Sequence, residues 1–431
     1  MIRILLFGFG LALAGGSLAA DTNSVAAAAT NGTFNVRDYG ATGDGSTKDT
    51  AAMQKALDAC AQAGGGTVTV PAGVYLTGSL VLGANTTLRL DGKANLMGSP
   101  DLADYPQVRG RWEGELAEAH RALLFAEKAG HVSITGHGSI FGPPISLSRL
   151  RNPRGPVLIE FNECTNVLLD GFSTEYQQLW SIHPLLCRDF TARNLVIRSI
   201  NFNGDGIDVD SCVNVLIDHC NIDTGDDAVA LKSGRGLAAA QSGRATENVV
   251  ITNSVLVSSI YAGLALGTEM SGGIRNVRVE NCVIGGRQNA IFIKSRDGRG
   301  GFMEDITGEN LTINSSGTFL GINLVDKGIQ ASDPVPGAVE KWARVRNIRF
   351  EHVRVDNVAR LVAGADVPAE RPLDGLTLTD ITGTCRKGIA LGNMTNVIVT
   401  GVSVNGYEGL LFTKKNVQGS GLDNPPAAAG E

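Results

Sequence analysis

The feature that most limits how this chain can fold is a recurrence: a turn residue, usually Asn, followed by an alternating apolar run. It reads Asn166-Val-Leu-Leu, Asn194-Leu-Val-Ile, Asn214-Val-Leu-Ile, Asn248-Val-Val-Ile, Asn276-Val-Arg-Val, Asn347-Ile-Arg-Phe and Asn396-Val-Ile-Val. The shortest step runs from Asn194 to Asn214, and longer steps carry loops such as Gly234–Thr246 and Ile329–Trp342. Asn suits tight turns, and branched apolar residues suit strands. A unit this small cannot bury its apolar face alone, but stacked on copies of itself it can. The pattern predicts an all-β chain wound as a parallel β-helix, each coil stacking an Asn turn and a few inward Val, Ile or Leu residues. A sandwich or propeller would need hairpins or larger fixed repeats, which the pattern lacks.

Around this repeat the organisation is simple. Residues 1–20 read as a signal peptide: Arg3, an apolar run Ile4–Ala14, then small residues Ser17-Leu18-Ala19-Ala20. The mature chain is therefore expected to be exported, to the periplasm or the outside of the cell, and to have no membrane association after cleavage. Residues 21–32 read as a flexible leader. A helix is expected over about Thr50–Ala63, with Met53, Leu57 and Cys60 on one stripe and Gly64-Gly65-Gly66 ending it. It would cap the open end of the solenoid, where bare strand edges invite aggregation. Short strands follow at Thr67–Val70, Val74–Leu76, Leu80–Leu82 and Thr87–Leu90, and Leu96–Glu127 reads as an inserted loop with some helix. One β-helix domain over 33–417 results, with a frayed tail over 418–431. We expect a monomer.

Charge narrows the partners. With 19% charged residues and a net charge of −6, the chain lacks the basic footprint of a nucleic-acid binder. An acidic polymer can still bind where Lys and Arg are concentrated locally. The seven cysteines show no CxxC pair and no zinc-like spacing, and read as buried thiols rather than disulfides.

Chemistry concentrates in Asn203–Gly236. In a solenoid whose coils take roughly 20–25 residues, the separation of Asp205 and Asp226 is one coil and predicts that they stack on one face. Asp227 adjoins them. Crowded carboxylates cannot all ionise freely, so one should hold its proton beside an ionised partner, as glycosidic cleavage requires. Counted by coils, His183, Tyr261, Phe292 and Lys294 join the same stripe. Lys232, Arg235, Lys294, Arg296 and Arg299 form the densest basic grouping nearby. Asp205, Asp208 and Asp210 also read as ordinary turn residues. Their spacing does not match a calcium loop, and no metal or cofactor is expected.

Asn203-Gly204-Asp205, Gly206-Ile207-Asp208, Gly225-Asp226-Asp227 and Lys232-Ser233-Gly234 resemble the polygalacturonase-type glycoside hydrolases of family 28. The openings Phe34–Gly45 and Gly64–Gly73 resemble the same pectin-degrading proteins. The resemblance implies a right-handed parallel β-helix hydrolysing α-linked uronic-acid polysaccharide (pectin) with inversion and without a cofactor. It implies Asp226 as general acid, Asp205 and Asp227 as the pair that positions and deprotonates water, and Asn203 as support. Two positions depart from the family pattern: Ala262 stands where its His falls, and Phe292 where its Arg falls, while Lys294 is kept. Phe292 offers an apolar face rather than a charged hydrogen bond, which favours rhamnogalacturonan or a substituted galacturonan over plain polygalacturonate. Expected substrate contacts are His183, Asn203, Lys232, Tyr261, Phe292 and Lys294. The competing readings are a polysaccharide lyase on the same fold and a non-catalytic pectin-binding β-helix.

Overall fold

The computed structural model describes residues 32–146, 150, 152–325, 336–337 and 339–424. The signal-peptide and leader readings, and most of the Ile329–Trp342 insertion, fall outside them. A single sheet of 34 strands runs from Thr33–Asn35 to Phe412–Ser420, its pairings parallel, each strand bonded to its counterparts one coil before and after. This is the parallel β-helix. Its last strand ends at Ser420, just past the expected domain limit at 417.

The core is a set of stacked inward rows. Val167, Phe190, Val215, Val249, Val277, Ile306, Ile348, Leu376 and Val397 follow one another in strict register, and all are buried. Just before eight of these apolar residues the chain bends through the left-handed region, at Asn166, Asp189, Asn214, Asn248, Asn276, Asp305, Asn347 and Asn396, with φ between 53° and 61°, and before the ninth, Leu376, it does so at Gly375, φ 87°. Asn and Asp are the side-chain-bearing residues that adopt this conformation most readily. Stacking adds a second reason. Asn248 donates its side-chain amide to Asn214 at 3.0 Å, and Asn276 donates to Asn248 at 3.1 Å. The turn residues thus form a hydrogen-bonded ladder along the solenoid.

One member of the sequence repeat belongs elsewhere. Asp189, not Asn194, stacks between Asn166 and Asn214. Asn194 sits at another corner of its coil, where its amide reaches Asp170 at 2.8 Å. The short step from Asn194 to Asn214 is therefore not a coil. Asp189 and Asn194 are two separate left-handed positions of one coil, and sequence spacing alone merges them.

Helix α1 (Thr50–Gln62) buries Met53, Ala56, Leu57 and Cys60 over the first coil. Gln54 completes the cap: its amide donates to Val81 O at 3.1 Å, and its carbonyl accepts from Val81 N at 2.9 Å. All seven cysteines are buried and unpaired.

The Leu96–Glu127 segment differs from expectation. Beyond a short helical turn at Leu102–Asp104 it forms an antiparallel hairpin of β1 (Gln107–Trp112) and β2 (Glu115–His120). Glu113 (φ 47°) and Gly114 (φ 82°) make its two-residue turn. Positive φ at both turn positions matches the twist of a hairpin, a signal that an isolated Glu-Gly pair does not advertise.

Candidate active site

Six successive strands build one face of the solenoid: β3 (Ile182–Leu185), β4 (Ile207–Asp210), β5 (Val229–Lys232), β6 (Ala262–Leu266), β7 (Asn289–Lys294) and β8 (Thr318–Asn323). The carboxylates lie in the turns entering β4 and β5. Ile207 pairs with Val229 one coil on. Carried back two residues, that register sets Asp205 opposite Asp227, consistent with Gly206 N donating to Asp227 O at 3.0 Å. The expectation that Asp205 stacks directly on Asp226 is one residue out. Asp226 instead leans in from the turn, accepting from the backbone N–H groups of Asn203 and Asp227, both at 2.9 Å. Asn203 reaches that position through a left-handed backbone, φ 63°.

Glycines make the turns possible. A Cβ at Gly225 would strike the Asn201 backbone, and one at Gly206 would strike the Ala228 carbonyl. Both motifs therefore need glycine for close packing between coils, independently of chemistry.

One oxygen from each of Asp205, Asp226 and Asp227 lies within 4.8 Å of the others. Burial raises Asp205 well above the ordinary carboxylate range, and the charges of Asp208, Asp226 and Asp227 add to it. Burial and the neighbouring Asp227 push Asp226 up to about 6. Asp227 accepts from Lys294 Nζ at 3.0 Å and from the Ala262 backbone N–H at 3.1 Å. The three oxygens are near enough to share a cation, but the Lys294 ammonium already supplies positive charge there.

Around them is a cavity of about 340 Å³, lined by Trp180, Phe202, Asn203, Tyr261, Gln288, Phe292, Asn323, the three Asp residues, Glu113, Glu269, Lys232, Lys294 and Arg296 among others. Of the expected substrate contacts, Asn203, Lys232, Tyr261, Phe292 and Lys294 thus face this cavity. Lys232 is tightly engaged, 3.2 Å from Asp208, 3.8 Å from Glu269 and 4.3 Å from the Trp180 ring centroid. Its burial opposes the charge, yet the carboxylates of Glu269, Asp208 and Asp205 outweigh it and hold the ammonium well above its usual pKa.

His183 is the exception. Ile182 pairs with Ile207, and this coil is longer than the one from Ile207 to Val229, so His183 faces Asp208 rather than Asp205. It is 1% exposed and absent from the cavity lining. Its ring lies 3.8 Å from Glu160, 4.0 Å from Asp210 and edge-on to Trp180. Burial alone would lower its pKa, but Asp210 and Glu160 overcome that and raise it to about 9. The ring is thus buried beneath the cavity rather than facing it, unlike the other expected contacts. Burial also lifts Asp208 to about 7 against the pull of Lys232 and His183. Asp210 goes the other way: the charges of Arg111 and His183 outweigh its burial and hold it at about 2.

The hairpin contributes what the sequence did not reveal. Trp112 stacks on Trp180 with ring centroids 4.3 Å apart, and Arg111 donates to Asp210 at 2.8 Å. Glu113, at the turn, lines the cavity and accepts from Arg154 at 3.0 Å. The coil before Asp205 is thereby covered. Only register could have found Trp180, which sits one coil before Asp205.

Comparison with known proteins agrees with this geometry. Residues 60–355 match the model of glycosyl hydrolases family 28. The chain belongs to that family. A probable polygalacturonase of Vitis vinifera is 30% identical over 80% of this chain and 73% of its own length. Among solved structures, an exopolygalacturonase of Thermotoga maritima superposes with a TM-score of 0.71 at 26% identity, covering 92% of this chain and 93% of that one. A family 28 exopolygalacturonase of Yersinia enterocolitica gives a TM-score of 0.80 at 22% identity, over 91% and 79%, and shares the fold. This family 28 member is accordingly a glycoside hydrolase of the pectin-degrading type. Ala262 and Phe292, the two positions at which a departure from the family pattern was expected, share one cluster: Phe292 packs against the group formed by Ala230, Ala262 and Ala265.

Proposed function

We propose that the chain is an exported, inverting hydrolase of galacturonate-containing pectic polysaccharide, acting on rhamnogalacturonan or a substituted galacturonan in preference to plain polygalacturonate. The observation that carries this reading is the trio of buried carboxylates with unequal surroundings, opening into a cavity with an apolar wall. Asp226, raised to about 6, protonates the leaving glycosidic oxygen. Asp227, held by Lys294 and a backbone N–H, takes the proton of the attacking water. Asp205, whose carboxyl burial raises above the ordinary range, shares with Asp227 the positioning of that water. Typical inverting enzymes hold acid and base carboxyls roughly 6.5–9.5 Å apart. Here the nearest oxygens, one from each carboxyl, lie within 4.8 Å of one another.

Phe202 and Tyr261 meet edge to face at 5.8 Å, and Phe292 stands on the same cavity. Such a wall suits a neutral deoxy sugar better than an unbroken row of carboxylates. The test is reducing-end release by the mature chain from polygalacturonate, rhamnogalacturonan and a neutral glucan, with Asp226→Asn alongside. Release should be fastest from rhamnogalacturonan and fall at least about 10³-fold in the variant. Release unaffected by the substitution would refute the assignment. A folded protein that binds pectin without releasing ends would favour a binding module, and unsaturated products would favour a lyase.

A further inference from the structure

The cavity holds three cations, and their situations differ. Lys294 is committed to Asp227 at 3.0 Å, and Lys232 lies against Asp208 and Glu269 at 3.2 and 3.8 Å. Arg296 lines the same cavity, has no ion pair among the described residues, and leaves a buried guanidinium nitrogen, Nη1, without a hydrogen-bond partner. A buried donor left unsatisfied is destabilising, and more so when it carries charge. The cavity's own acids do not relieve it. Asp227 serves Lys294, Glu113 serves Arg154, and Asp226 accepts two backbone N–H groups. Asn323, which also lines the cavity, uses its side-chain carbonyl to accept from Val325 N at 3.1 Å. Its amide nitrogen is thus left to donate. A planar guanidinium fork and an amide donor lining one cavity are the groups that recognise a carboxylate.

We infer that Arg296, assisted by Asn323, forms the subsite that binds the carboxylate of a hexuronate unit of the substrate. The inference rests on the pectic reading above and deepens it. Phe292 brings an aromatic ring to the cavity and, four residues later, Arg296 brings a charge, so one stretch of chain supplies groups for both a neutral and an acidic sugar. An alternating polymer of the two fits this arrangement.

The test separates binding from turnover. In an Asp226→Asn background, calorimetry measures binding of a rhamnose–galacturonate tetrasaccharide and of its methyl ester, with and without Arg296→Ala. The free acid should bind about 10- to 100-fold more tightly than the ester, and Arg296→Ala should erase that preference. Arg296→Gln, which keeps bulk and donors but loses charge, should fall between; circular dichroism and Tm establish that each variant is folded. In the otherwise wild-type chain, Arg296→Ala should raise KM on the acid substrate by a similar factor and change kcat by no more than about threefold. Equal binding of acid and ester, or a preference that survives Arg296→Ala, would overturn the subsite. Because binding is read without hydrolysis, a chain that releases no reducing ends would refute the hydrolase reading, while the acid–ester difference would still decide the role of Arg296.

Discussion

Asp226 is held in a conflict that its function uses. Burial and the charge beside it favour the acid form, while two backbone N–H groups favour the carboxylate, and the balance lies at about 6. Since the acid form is the reactive one, kcat/KM should fall tenfold per pH unit above about 6. A pH–rate profile checks this; a rate flat to pH 8 would remove Asp226 from the role. The same shift bears on stability. A folded pKa above the ordinary 3.8 means that the group's stabilising contribution is complete below that value and is lost as pH rises through about 6. Asp226→Asn should therefore raise Tm more at pH 8 than at pH 5. Lys294→Met removes the ammonium 3.0 Å from Asp227. It should lower kcat by roughly 10- to 100-fold, since a charge-assisted hydrogen bond to the base is lost while the cavity stays intact. Single-turnover rates with the folded variant measure it.

At the scale of elements, the hairpin of β1 and β2 sets how the cleft is approached. Its ties are the Trp112–Trp180 stack, the Arg111–Asp210 pair and the Arg235–Glu115 pair at 2.8 Å, and Glu113 projects into the cavity. Because the hairpin covers the coil that carries Trp180, we predict that cleavage proceeds from chain ends. Product analysis over time should show short oligosaccharides from the outset with viscosity falling slowly. Replacing residues 107–120 by a short Gly-Ser link should shift the products towards internal cuts. An early collapse of viscosity with the intact chain would contradict end-directed action. This element is also where sequence patterns gave least. Leu96–Glu127 carries neither the Asn-turn signal nor a strong hairpin dipeptide, and the contacts that fix it lie on coils far along the chain. His183 was misplaced for a related reason: adjacent coils differ in length, as the pairings of Ile182 with Ile207 and of Ile207 with Val229 show, and that difference is enough to exchange one outward position for another.

For the whole molecule, the solenoid was legible because its rule is local. Most coils repeat a left-handed Asn or Asp and an inward apolar residue, and the recurrence alone reveals it. The Asp motifs were legible for the same reason, because Gly225 and Gly206 are demanded by contacts between adjacent coils. What escaped was pairing at a distance: the Trp112–Trp180 stack and the commitment of Lys232 to Glu269. The buried thiols give a global check. All seven cysteines should be unreactive towards a thiol reagent in the native protein and react together on denaturation. The most direct measurement follows the anomeric proton by NMR as the enzyme cleaves rhamnogalacturonan. Direct attack by one water, with Asp226 as acid and Asp227 as base, predicts that the first product carries the opposite anomeric configuration, and that Asp226→Asn abolishes its appearance. A product of retained configuration would mean a covalent intermediate on one of the three Asp residues, and would contradict the roles assigned to them here.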